Sequence, residues 1–121
     1  MQYALLVYSP AEDADAEDAK EPGRPAHQVG GTLAALLGRP EVTGWARLHA
    51  NESATTLRNE GRMLLTDGPF VDSKEYLAGL ILIEADNIDG ALAAAADLLG
   101  ETRPGAAIEV RPIIEGRFRG A

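Results

Sequence analysis

The 121 residues carry a formal charge of −8, are 45% apolar and 25% charged, and include no cysteine. That composition describes one soluble-type domain with its own core, and it excludes disulfides, thiolate metal sites and Cys nucleophiles. Residues 12–21 hold −5 of the charge and the rest of the chain −3, an acidic segment on a nearly balanced body that argues against direct nucleic-acid binding.

The chain opens with Tyr3, Leu5 and Val7 alternating with Ala4, Leu6 and Tyr8. Both faces are apolar, as in a central strand covered on both sides. This start lacks the cationic lead of a signal peptide, and no later run approaches the roughly 20 apolar residues of a membrane span. A cytoplasmic protein with no membrane partner is expected. Residues 11–24 are acidic, Ala-rich and closed by Glu21-Pro22-Gly23-Arg24, the composition of a mobile loop.

Pro25 suits the first position of a helix reaching about Leu37, with Val29, Leu33, Leu36 and Leu37 as its buried stripe. Gly38-Arg39-Pro40 stops it. A strand is expected over residues 42–50, carrying Val42, Trp45 and Leu48. Thr55 to Arg58 and Met63 to Thr66 flank Asn59-Glu60-Gly61-Arg62, the chemistry of a hairpin turn. A charged loop over residues 67–75 follows, then a strand over residues 77–84 that is apolar on both faces apart from Glu84. Asp86-Asn87-Ile88-Asp89 opens a second helix with Ile88, Leu92, Ala95 and Leu99 as its stripe and Gly100 as its C′ residue. The last strand, Ala107 to Arg111, ends at Pro112.

Two helices at these positions suit one face of an antiparallel sheet in a split βαβ arrangement within a single domain over residues 1–121. The strands at residues 3–8 and 77–84 are apolar on the other face as well, and no third amphipathic helix is available for it. A second copy of the chain, packing sheet against sheet as a homodimer, is the expected cover. The alternative cover is Trp45, Phe70 and the hairpin of the same chain.

Thr66-Asp67-Gly68-Pro69-Phe70, followed by Lys74-Glu75 and Gly79, resembles the signature of the DGPF group of YCII-related proteins. Residues 3–8, Glu84-Ala85-Asp86 and Glu109-Val110-Arg111-Pro112 are similar to that group too. The resemblance implies a ferredoxin-like α+β fold with an extra hairpin, pairing as a dimeric α/β barrel. It supplies no fixed function. Some YCII-like relatives are dehalogenating or isomerase-like enzymes that use a His–Asp pair, and other DGPF members occur beside sigma-factor-like proteins. The chain departs from the family pattern between residues 11 and 53, where the acidic segment stands.

His27, in Arg24-Pro25-Ala26-His27, is the leading catalytic candidate, because YCII-like proteins carry a His there and a helix N-terminus favours the neutral imidazole of a general base. Asp67 reads either as its orienting carboxylate or as an Asx-type turn residue. Lys74 is a candidate for binding a small anionic ligand, or one half of a surface ion pair with Glu75. Arg58 is a candidate carboxylate clamp, or a cross-strand partner. Trp45 and His49 share a face if residues 42–50 are one strand; they read as a half-buried Trp with a solvent-facing His, or as pocket walls. The two histidines lie too far apart for a metal motif, and no phosphate-cradling Gly-rich loop or Gly-x-Ser-x-Gly occurs. No metal or other cofactor is expected. Two functions remain open: a dimeric small-molecule-binding protein with cofactor-independent acid/base chemistry, and a non-catalytic interaction module tied to sigma-factor-type regulation.

Overall fold

A computed structural model describes residues 1–10, 31–71, 73–102 and 104–118. In chain order these form β1 (Gln2–Pro10), α1 (Gly31–Leu37), β2 (Val42–Arg47), a short 3-10 turn (Asn51–Ser53), β3 (Thr55–Asn59), β4 (Met63–Asp67), β5 (Glu75–Glu84), α2 (Ile88–Leu99) and β6 (Ala107–Pro112). The loop expected over residues 11–24 and the start of the first helix lie outside the described residues.

The main sheet has the order β2-β5-β1-β6, and all its pairs are antiparallel. β1 and β2 therefore run parallel with β5 between them, and β5 and β6 run parallel with β1 between them. This is the split βαβ arrangement: each crossover carries a helix and skips one strand. β3 and β4 pair only with each other, as a separate two-stranded ribbon. The fold is thus α+β, with two helices on a mostly antiparallel sheet.

The helices settle which face becomes the core. Tyr3 and Leu5 of β1 and Ile81 and Ile83 of β5 lie under them, with Leu5 and Ile83 only 0% and 1% exposed. Leu36 and Leu37 of α1 and Ala91, Ala95 and Leu98 of α2 complete this core. Each fully buried Leu or Ile contributes about 1.5–3 kcal/mol relative to an exposed one. On the opposite face Ala4 and Leu6 stand across from Leu82 and Leu80, all apolar and only half-buried. The same chain does not supply the cover considered from the sequence. Trp45 sits across from Ile81, on the helix side of the sheet. Phe70 and the hairpin's Leu57 and Leu65 are largely exposed.

α2 departs from the expected stripe. Ile88, Leu92 and Leu99 are exposed, and the buried line is Ala91, Ala95 and Leu98. The helix is turned so that small alanines meet the sheet, which lets the two backbones approach, while the larger side chains lie along its flank. Its start is as expected: Asn87 is the N-cap, and its Oδ1 accepts from the Gly90 N–H at 3.0 Å. Its end is not, because Gly100 keeps a right-handed φ of −60°. The last turn is closed instead by Thr102, whose N–H and Oγ1 both donate to the Leu99 carbonyl. No helix among the described residues is long and apolar enough to cross a membrane.

Candidate functional site

The signature loop acquires its shape from the hairpin beside it. Gly68 sits at φ +96°, a left-handed conformation that side-chain-bearing residues resist. Its N–H donates to the Ala54 carbonyl at 2.7 Å, and its own carbonyl accepts from Thr56 Oγ1 at 2.7 Å. The turn is therefore clamped from β3 and the residue before it. Phe70 is held at the other side by Arg58, whose guanidinium lies 5.4 Å from the ring centroid. The signature's second glycine has a different cause. Gly79 is buried in β5, and a Cβ there would stand 2.7 Å from the Ala46 carbonyl oxygen of β2.

Between this loop, the 3-10 turn and the ends of β1 and β5 lies a cleft of about 700 Å³. Residues 69–71 and Ser73 form one wall, and residues 48–51 with Ser53 form another. Tyr8 comes from β1 and Glu75, Tyr76 and Leu77 from β5. Tyr8 follows Ala4 and Leu6 in the alternation of β1 and stands across from Ala107, so it belongs to the face that the helices leave open, and a register irregularity beside Val7 brings Leu77 opposite it. The loop's last step is pinned by Ser73, whose hydroxyl donates to the Glu75 carbonyl. The 3-10 turn is held by Ser53, whose N–H and Oγ both donate to the Ala50 carbonyl, at 3.0 and 2.7 Å.

The residues singled out from the sequence are distributed differently. Asp67 is exposed at the end of β4, and Lys74 is exposed just before β5; neither lines the cleft. Arg58 reaches Glu60 at 2.8 Å and covers Phe70, on a shallow neighbouring pocket. Trp45, 46% exposed, lines a separate apolar cavity of about 170 Å³ between the helices and the sheet. His27 lies outside the described residues, so its relation to Asp67 is not part of this geometry.

His49 reverses its expected place. The strand ends at Arg47, not at residue 50, so Trp45 and His49 no longer share a face. His49 is half-buried in the cleft wall with its Nδ1 sealed from solvent, while Trp45 is the more exposed of the two. Tyr8 and Tyr76 carried no signal of their own, and Glu75 was legible only as part of the signature and as an ion-pair partner for Lys74, since only the fold brings β1 and β5 to the loop. Chemically, the imidazole, the carboxylate and two phenols supply proton donors and acceptors around an apolar interior. Among the described residues no group of three or more His, Asp or Glu side chains is arranged to hold a metal ion.

Comparison with known proteins agrees with the motifs. The model of the YCII-related domain matches residues 1–117. The chain is similar to a Rhizobium meliloti (strain 1021) protein described as uncharacterized protein R00369, at 32% identity over 114 residues, covering 93% of this chain and 92% of that one.

Proposed function

Because the chain belongs to the YCII-related family, we propose that it works as a homodimeric small-molecule-binding protein of the ferredoxin-like, dimeric α/β barrel type. Its ligand, a small anionic or aromatic metabolite, occupies the cleft beside the signature loop and undergoes cofactor-independent proton transfer, of isomerase or lyase type, in the cytoplasm. His27 and Asp67 are the acid/base pair expected from the sequence; Asp67, Lys74, Arg58 and Trp45 stand outside the cleft lining, so the direct ligand contacts of this reading fall to Tyr8, His49, Phe70, Glu75 and Tyr76. The observation that carries it is the cleft of about 700 Å³, built by the signature loop and lined with proton-transferring groups. The homodimer draws its support from the apolar face formed by Ala4, Leu6, Leu80 and Leu82, half-buried and opposite the two helices of the described residues.

A thermal-shift screen of small aromatic compounds and carboxylates tests the binding. At a hundredfold excess over Kd, a ligand of the native state adds about 2.7 kcal/mol, roughly 10 °C in Tm for a domain this small. A screen with no saturable shift rejects the cleft as a ligand site. Proton transfer is then read by NMR as solvent-deuterium exchange into the bound compound. Loss of exchange by about a hundredfold in His27→Ala and Asp67→Asn, with binding retained, supports the acid/base pair; unchanged exchange rejects it.

A second reading has its own observation. Leu57 and Leu65 stand opposite each other on the hairpin, 63% and 71% exposed, with Met63 on the same side. Such a patch suits a non-catalytic interaction module, and the resemblance suggests a sigma-factor-type partner. A Leu57→Ser/Leu65→Ser variant that keeps dimer and ligand binding but loses that partner favours this reading.

A further inference from the structure

The chemistry of the cleft decides between the two ligand classes left open above, and the inference rests on the ligand-binding reading. Four rings line it, those of Tyr8, His49, Phe70 and Tyr76, and Glu75 brings a carboxylate. Among its described lining residues there is no Lys or Arg. Arg58 is engaged with Glu60 and with the Phe70 ring, and Lys74 points its charge from an exposed position outside the lining. An anion entering such a site would lose hydration with no Lys or Arg among the described lining residues to replace it and with Glu75 opposing it. Ring faces carry the negative end of the aromatic quadrupole and attract cations.

We infer that the cleft binds an aromatic ring bearing a neutral or cationic substituent and discriminates against aromatic carboxylates, with Glu75 as the charge-selecting residue. The rings supply stacking and edge contacts, and the carboxylate accepts hydrogen bonds from an ammonium or hydroxyl group at the cleft mouth. The chain's −8 charge would favour cations in a diffuse way at any site, so the local claim is that Glu75 dominates.

Three probes of one shape test it on the full chain: benzylammonium, benzyl alcohol and benzoate, titrated at pH 7 and followed by NMR shifts of the Tyr8, His49 and Tyr76 signals. The expected order is benzylammonium, then benzyl alcohol, then benzoate, with at least a tenfold span in Kd between the ends. Glu75→Gln weakens benzylammonium about three- to fivefold, the size of a partly exposed ion pair, and leaves benzyl alcohol unchanged. Glu52→Gln removes an equal charge from an exposed position on the neighbouring 3-10 turn, outside the lining, and leaves the order intact. Benzoate binding as tightly as benzylammonium overturns the charge selection while the cleft survives as a ligand site. Equal effects of the two substitutions overturn the role of Glu75. If no probe moves the cleft signals at millimolar concentration, the inference falls together with the ligand-binding reading.

Discussion

The two faces of the main sheet begin from similar residues and end in different states. Leu5 and Ile83 on one face are sealed under the helices, while Leu6 and Leu80 on the other, of comparable size and hydrophobicity, remain half-buried. The strand residues do not make that difference; the helices do. Alternation in a strand reports that both faces are apolar, and only the layer above decides which one becomes core. The open face then leads directly to the cleft, because Tyr8 lies on it and lines the cleft. Covering that face would therefore shape the site as well as the stability.

The comparison can be broken by substitution. Leu5→Ala removes the deepest side chain of the covered face and is expected to cost about 2–5 kcal/mol in urea unfolding. The matching Leu6→Ala should cost under about 1 kcal/mol where the protein is dilute enough to be monomeric. Equal losses at both positions in dilute protein would show that the faces are not distinct. Gly79→Ala comes next, because its Cβ would meet the Ala46 backbone carbonyl at 2.7 Å. Strand β2 must shift to admit it, at about 1–3 kcal/mol, and an unchanged unfolding midpoint would contradict the close approach.

Smaller effects probe the helix that covers the core. Asn87→Ala deletes the cap of α2 and should cost about 1 kcal/mol by the same measurement. Arg39, whose guanidinium meets Asp97 at 3.2 Å near the end of α1, is an exposed pair. Arg39→Ala should change stability by no more than about 1 kcal/mol, and less in high salt.

Local chemistry made much of this legible in advance. The hairpin turn forms where Asn59-Glu60-Gly61-Arg62 announced it, with the Glu60 N–H donating to the Arg62 carbonyl. The Asn87 cap and the order of strands and helices follow equally short-range rules. The signature around Gly68 and Gly79 pointed to the family, and both glycines prove to have backbone reasons. What the pattern misjudged depends on tertiary packing. Hydrophobicity alone ranks Ile88, Leu92 and Leu99 above Ala91 as buried residues of α2, but close contact with a sheet selects the smaller side chain. The cleft was obscure for a related reason. Tyr8, His49 and Tyr76 are far apart in the chain, and only the β1–β5 register and the early end of β2 at Arg47 bring them to one place.

The claim that most depends on this comparison is that a second copy covers the open face. Light scattering on the full chain at micromolar concentration tests it, with Leu80→Asp alongside to place a charge in the middle of that face. The account predicts twice the chain mass of 12.8 kDa for the parent protein, and the single-chain mass for a folded Leu80→Asp. A parent protein that scatters as a single 12.8 kDa chain would contradict it.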